Sequence, residues 1–346
     1  MIYDTYRGPY GPWGYPPPFY SAAQEEKRRI RRTSNRLCWT VILCFVLIFL
    51  LGRAGYLFLA TSGYVSSSLY RSFGGLPPLI YYLLNCSVYA LGISLPAFLY
   101  FAVGRIPLEE GLPFRKTKAM DTAALVLFGC MICLVANYPA EWVSRLIESL
   151  GYNGTIPDTP LSNDPAVLAC YGIETVLVPP LVEEMMFRGV VLQSLRRFGD
   201  GFAILGSALI FGMMHGNFPQ TAFAFLAGLA MGYAAVQSGS LLPSILIHFI
   251  NNLAAFLYVL VGRLSGEAAA GNLSSILSAL LLALGLLSAG YLVLRGRFLL
   301  QPEESGETAL PLAGKMGALF SNPGAVVFSL LFLISAISFL NGAAAE

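Results

Sequence analysis

The sequence predicts an all-α fold: a polytopic membrane helix bundle of eight or nine transmembrane helices with a disordered N-terminal tail. Hydrophobic residues make up 56% of the 346 positions and charged residues only 12%, about half the usual ~25% of soluble domains. Residues 201–262 contain no Asp, Glu, Lys or Arg. A soluble enzyme or a nucleic-acid-binding protein needs a charged surface, so both classes are excluded. The net charge of +2 also implies no polyanionic partner such as nucleic acid.

The N-terminal segment, residues 1–36, combines a tail with a basic anchor. Residues 1–24 are rich in Pro, Gly and Tyr and have no apolar period, which is typical of disorder. Six basic residues then lead directly into the first apolar run: Lys27, Arg28, Arg29, Arg31, Arg32 and Arg36. The positive-inside rule makes this cluster a cytoplasmic anchor.

Nine apolar runs follow, each near or above the ~17–25 residues that a membrane-spanning helix needs. Their approximate limits are 37–60, 78–103, 120–138, 166–195, 201–217, 219–236, 240–262, 273–294 and 323–341. The fifth run is short and the last follows a polar stretch, so we expect eight or nine spans. The loop over 104–119 is rich in basic residues, the next loop over 139–164 is rich in acidic residues, and Arg196 and Arg197 make the following loop basic again. This alternation predicts a cytoplasmic N-terminus.

Ionisable and amide side chains interrupt this apolar background at three places. A charged group in the bilayer costs about 2.5–3.5 kcal/mol on insertion scales, so such residues are functional candidates by default. The chain has only two histidines, and both lie inside the charge-free region. The three groups are Glu183, Glu184 and Arg188; Phe211 and His215; and His248 and Asn252.

The spacing within each group indicates different tasks. Glu184 and Arg188 are four residues apart, share one helix face and can form an ion pair. Glu183 is rotated by ~100° from that face, which leaves it as the freer carboxylate and the candidate general base. His248 and Asn252 are also four residues apart, so both side chains can reach one reacting oxygen.

The depths of these residues also agree. A rise of 1.5 Å per residue places Glu183, Glu184 and His215 at ~20 Å from the charged inner ends of their helices. The same count gives ~12 Å for His248 and ~18 Å for Asn252. All of them therefore lie in one layer near the middle of the bilayer. The pair Pro179-Pro180 is expected to break the fourth span just before the acidic residues.

The motifs Glu-Glu-x-x-x-Arg, Phe-x-x-x-His and His-x-x-x-Asn, in this order on successive spans, resemble the CPBP family. This family includes the type II CAAX prenyl endopeptidases and the Abi-type proteins of bacteriocin immunity. The resemblance covers roughly residues 165–260. It implies a membrane-embedded protease, a hydrolase of a bacterial plasma membrane, that cleaves a membrane-associated peptide or protein such as a CAAX-type prenylated protein or a leader peptide. We expect a catalytic core over 165–262, between N-terminal helices in 37–164 and C-terminal helices in 263–346.

The resemblance also implies roles for the site residues. Glu183 and His215 would activate a water molecule, His248 and Asn252 would bind the oxyanion or complete the site, and Glu184 with Arg188 would hold the geometry. The family carries a metalloprotease label, and Glu183, His215 and His248 form a plausible zinc-binding set. The sequence contains no His-Glu-x-x-His motif. We therefore slightly favour a metal-free mechanism with a Glu- and His-activated water.

Two other interpretations remain open at this point. A proton-coupled transporter would use the Glu and His side chains as a proton relay. The sequence shows no internal repeat of the kind found in many transporters. A non-catalytic bacteriocin-immunity or scaffold protein would keep the fold without the chemistry, although the complete motif set argues against such decay.

Overall fold

The protein is described by a computed structural model that covers residues 21–152, 160–300 and 309–342. Residues 1–20, which hold most of the expected disordered tail, lie outside the described part of the chain. The first helix begins at Ala22 with a capping box, in which Ser21 and Gln24 each accept a hydrogen bond from the other's backbone N–H. Residues 22–24, which were expected to belong to the disordered tail, are helical instead, because the capping box starts the helix ahead of the basic cluster.

The N-terminal part of the bundle contains three long helices and one short helix. They are α1 (Ala22–Thr61), α2 (Pro78–Gly104), α3 (Leu108–Gly111) and α4 (Ala119–Ser149). Helix α2 begins with proline at its first position, where the missing N–H costs no intrahelical bond. The basic residues predicted to be cytoplasmic lie around α3, between α2 and α4.

The fourth span is helical from Pro165 to Arg196 and contains two π-helical turns. In chain order it consists of α5 (Pro165–Gly172), a π-turn (Ile173–Leu177), α6 (Val178–Glu184), a second π-turn (Met185–Val191) and α7 (Leu192–Arg196). The expected break at Pro179-Pro180 does not interrupt the helix. The chain instead widens into a π-turn directly before the prolines, since a proline supplies no N–H to the helical ladder.

The C-terminal part completes the bundle with α8 (Asp200–Met214), α9 (Phe218–Ser238), α10 (Leu242–Ser265), α11 (Glu267–Leu294), α12 (Leu312–Phe320) and α13 (Pro323–Gly342). Among the described residues, eight helical segments are long and apolar enough to cross a membrane, and α8 is a shorter apolar helix. The prediction of an all-α polytopic bundle with eight or nine spans is confirmed.

Helix α4 lies at the centre of the bundle and packs against α9, α10 and α11. Helix α8 packs along α9, and this contact is close because of Gly212. A Cβ atom at Gly212 would lie 2.9 Å from the carbonyl oxygen of Thr221 on α9. Only glycine permits this approach, which carries the end of α8, with Phe211 and His215, into the middle of the bundle.

Candidate active site

The fourth span supplies a buried ion pair. The Arg188 Nη1 atom donates to Glu184 Oε1 at 2.8 Å, and both side chains are fully buried. Arg188 also donates from Nη2 to the Gly228 carbonyl at 3.4 Å, and its guanidinium lies 4.5 Å from the centre of the Phe211 ring. The pair expected from the spacing is therefore present, and its contacts fix the Glu184 carboxylate in one orientation.

His248 on α10 lies between the two adjacent carboxylates. Its Nδ1 atom is 3.0 Å from Glu184 Oε1, the same oxygen that binds Arg188. Its Nε2 atom is 3.9 Å from Glu183 Oε2. A carboxylate can only accept, so Nδ1 carries the proton of this contact and the carboxylate orients the ring. The opposite edge of the imidazole then faces Glu183.

Glu183 has a second contact that the sequence did not predict. The Tyr89 hydroxyl on α2 donates to Glu183 Oε1, which leaves Oε2 on the side of His248. Glu183 is 5% exposed and borders a cavity that His215 and His248 also line. The sequence feature that could have identified Tyr89 is its depth in the membrane, because it lies 11 residues beyond the start of α2 at Pro78, or ~17 Å along the helix. Its hydroxyl therefore falls near the layer of the other polar groups.

His215 follows the last residue of α8 and approaches the site from another direction. Its Nδ1 atom is 3.0 Å from the carbonyl oxygen of Phe211. Because a carbonyl only accepts, Nδ1 is the protonated nitrogen and Nε2 keeps its lone pair. The Phe211 ring contacts both histidines edge-on, with centroid distances of 5.1 Å to His215 and 6.1 Å to His248. The phenylalanine of the second motif thus separates and orients the two imidazoles.

A cavity of about 610 Å³ brings most of the predicted site together. Four of the six predicted residues line it: Glu183, His215, His248 and Asn252. Glu184 and Arg188 lie behind them, out of contact with the cavity. Glu174 also lines the cavity, and its buried Oε2 atom has no hydrogen-bond partner among the described residues. Its walls combine carboxylates and imidazoles with aromatic side chains, so it offers both reactive groups and an apolar lining.

Asn252 faces the fourth span. Its Nδ2 atom donates to the backbone carbonyl of Thr175 at 2.8 Å, and its Oδ1 atom accepts from Asn251 at 3.2 Å. At least one of the two amide protons is thus used for a backbone contact. The role of oxyanion donor remains a prediction for this residue.

The predicted zinc set does not meet in this geometry. Within the described residues, no three His, Cys, Asp or Glu side chains are arranged to hold a metal ion. Glu183 Oε2 and His248 Nε2 are 3.9 Å apart, wider than the ~3.3 Å expected between two ligands that bind zinc at ~2.0–2.1 Å in a tetrahedron. The residues as placed do not fit a zinc ion, and the mechanism below uses none.

Comparison with known families bears on the same part of the chain. Residues 165–254 match the model of the "Type II CAAX prenyl endopeptidase Rce1-like" family. The matched segment, about a quarter of the chain, contains all three motifs, and the resemblance predicted from them is confirmed. Comparisons with curated proteins and with solved structures gave no match.

The Rce1-like match and the eight apolar helices together support a coarse assignment. The eight apolar helices support an integral, multi-pass membrane protein, and residues 165–254 are similar to the domain of a family of intramembrane proteases. The matched segment covers the fourth span, α8, α9 and half of α10. These are the elements that carry the ion pair, both histidines and most of the cavity wall, whereas Tyr89 lies outside the matched segment.

Proposed function

We propose that this protein is an intramembrane endopeptidase that hydrolyses a peptide bond of a membrane-associated substrate with a water molecule activated by Glu183 and His215. One observation carries the proposal: Glu183, His215 and His248, from three helical segments, border the same cavity. Bringing three ionisable side chains together inside an apolar bundle costs free energy, and a catalytic role explains why the protein keeps them there.

The arrangement supports a division of labour. Glu183 Oε2 accepts a proton from the water, while His215 Nε2, which keeps its lone pair, accepts a hydrogen bond from the same water and orients it. The hydroxide oxygen bonds to the scissile carbonyl carbon, and the carbonyl π electrons move to oxygen. The proton on Glu183 then passes to the leaving amine as the C–N bond breaks. This step consumes one water molecule and restores the carboxylate.

The remaining residues hold this geometry. His248, when protonated on both nitrogens, donates from Nε2 to the oxyanion while Nδ1 stays bound to Glu184. Arg188 balances the charge of Glu184, so that this carboxylate remains an acceptor for His248 and does not compete for the water proton. The Tyr89 hydroxyl fixes Glu183 through its other oxygen.

The position of the site also bears on the substrate. A reactive layer near the bilayer middle requires a substrate that is itself in the membrane, through a lipid modification or an apolar segment. A prenylated CAAX protein and a peptide or leader substrate both meet this condition. We propose a cytoplasmic N-terminus, because the positive-inside rule places the basic loops on that side of the membrane, and a bacterial plasma membrane, as the family resemblance implies.

The test uses the purified full-length protein in proteoliposomes with two fluorogenic probes: a farnesylated CAAX peptide and an unprenylated apolar peptide. We expect cleavage of at least one probe, and loss of cleavage in the Glu183→Gln variant. Glu109→Gln is the matched control, because Glu109 is an exposed glutamate on α3 that does not line the cavity. Equal cleavage by the wild type and Glu183→Gln contradicts the mechanism.

The same preparation distinguishes the alternatives. Proton uptake in response to a solute gradient, with no cleavage of either probe, would support a proton-coupled transporter. A biological effect that survives Glu183→Gln and His215→Ala would support a non-catalytic immunity or scaffold protein.

A further inference from the structure

The carbonyl oxygen of Thr175 cannot have a helical partner. In an α-helix this oxygen accepts from the N–H of residue 179, and in a π-helix from that of residue 180. Both positions are proline, which has no N–H, and the N–H of Val178, the donor in a 3₁₀ turn, binds the Ile173 carbonyl instead. An unpaired backbone carbonyl within a membrane bundle costs several kcal/mol. Some other donor must therefore reach Thr175.

That donor is the side chain of Asn252. Its Nδ2 atom lies 2.8 Å from the Thr175 carbonyl oxygen, in the geometry of a hydrogen bond. The orientation of the amide follows from the chemistry, because two oxygens would repel each other at this distance. The half-buried Asn252 thus replaces the backbone N–H that the proline pair removes.

The location of this bond links it to the reactive groups. On α10, Asn252 is one turn from His248, and on the fourth span Thr175 is eight residues from Glu183. Glu183 Oε2 and His248 Nε2 are the two atoms that lie 3.9 Å apart. A bond that ties the π-turn to α10 fixes how the fourth span lies against α10. It therefore fixes the separation of Glu183 from His248.

We propose that Asn252 is a positioning residue, which replaces the missing proline N–H and thereby sets the distance between Glu183 and His248. This differs from the oxyanion-binding role that the family resemblance implies. The effect on activity rests on the proposed function, whereas the effect on stability does not.

The experiment restores the missing donor. Asn252→Ala leaves the Thr175 carbonyl unpaired, and Pro179→Ala returns an N–H at the α-helical position for that carbonyl. We measure the thermal midpoint in detergent and the kcat and KM for the farnesylated CAAX peptide. We expect Asn252→Ala to lower the thermal midpoint, because one buried carbonyl becomes unpaired. We also expect kcat to fall by about 10- to 100-fold, because misplacing a reacting group by about 1 Å can cost ~10²-fold. The double variant Asn252→Ala/Pro179→Ala should recover most of both losses.

A matched control is Asn137→Ala on α4. The Asn137 amide also donates to a backbone carbonyl, that of Cys133 at 3.1 Å, but the helical donor position for this carbonyl, residue 137, is not a proline. Pro179→Ala should not alter the properties of the Asn137→Ala variant. A rescue of both asparagine variants would show a general stabilisation by Pro179→Ala and would overturn the proposal.

The other outcomes are also decisive. An oxyanion donor predicts a loss of about 10²–10³ in kcat with an unchanged thermal midpoint and no rescue by Pro179→Ala, and this result overturns the positioning role. If Asn252→Ala fails to accumulate in the membrane, accumulation of the double variant is the rescue, and failure of both overturns it. If the wild type cleaves neither peptide, the proposed function fails, while the rescue of the thermal midpoint still decides the positioning role.

Discussion

Two adjacent glutamates in this chain have different surroundings. Glu183 borders the cavity and contacts Tyr89 and His248, while Glu184 is enclosed with Arg188. The difference comes from the ~100° rotation between neighbouring helix positions. One carboxylate thereby faces the cavity, and the other is held by Arg188 behind it.

Substitution of these two residues should therefore have opposite consequences. Glu183→Gln should abolish peptide cleavage and leave the thermal midpoint almost unchanged. Glu184→Gln should lower the free energy of unfolding by about 3–5 kcal/mol, because Arg188 loses its buried partner. Circular dichroism during heating in detergent measures the second effect. Glu141→Gln is the control for the loss of an ion pair, since Glu141 and Arg145 form an exposed pair worth about 0–1 kcal/mol. A larger destabilisation by Glu183→Gln would reverse the assigned roles.

Tyr89 offers a test of how Glu183 is held. Tyr89→Phe removes the hydroxyl that donates to the carboxylate, and we expect kcat to fall by about tenfold with little change in KM. Tyr100→Phe is the matched control, because Tyr100 lies on the same helix and bonds to Ser194 at 2.9 Å, away from the cavity. Steady-state kinetics of the two variants measure the difference. Equal losses would assign Tyr89 a structural role in α2.

The two histidines test the chemistry and the question of a metal. His215→Ala and His248→Ala should each reduce cleavage by about 10²–10⁴-fold, the range for losing a general base or an oxyanion donor.

We expect wild-type activity to survive dialysis against a chelator, with less than one metal ion per chain by mass spectrometry. One zinc ion per chain, lost together with activity on chelation and absent from His215→Ala, would contradict the metal-free mechanism.

At the scale of elements, the contact between α8 and α9 determines where Phe211 and His215 lie. Gly212→Ala places a Cβ atom 2.9 Å from a backbone oxygen, so the two helices must separate. We expect a loss of about 1–3 kcal/mol in the free energy of unfolding, the usual cost of overpacking, with reduced cleavage. Gly201→Ala on the same helix meets no atom within 4 Å and should stabilise by up to about 1 kcal/mol. Thermal unfolding in detergent compares the two variants; destabilisation by both would refute the packing explanation.

At the scale of the whole molecule, the orientation in the membrane is open to a direct test. In a cysteine-free background, Lys116→Cys between α3 and α4 should react with an impermeant maleimide only from the cytoplasmic side. Glu148→Cys at the far end of α4 should react only from the outside. Intact cells and inverted vesicles give the two sides. The reverse labelling pattern would place the N-terminus outside and invert the depth assigned to the site.

The sequence by itself determined the class of fold and much of the site. Continuous apolar runs of about 20 residues predict membrane-spanning helices, because each helix satisfies its own backbone within the bilayer. Regular helical spacing likewise predicted the Glu184–Arg188 pair, since residues four apart share a face. The same spacing put Glu183 on a different face. Contacts of this local kind depend on the helical period alone.

Only the tertiary structure decided which distant residues meet. Tyr89 reaches Glu183 across 94 positions of the chain, and Asn252 reaches Thr175 across 77. No local pattern encodes such contacts, because they depend on how helices cross and on where a proline pair widens one of them. The spacing predicted that Asn252 and His248 can reach one reacting oxygen, and it gave no sign that the Asn252 amide also binds the Thr175 carbonyl. The period of a helix is a property of its own residues, whereas the partner on another helix is set by the packing of the whole bundle.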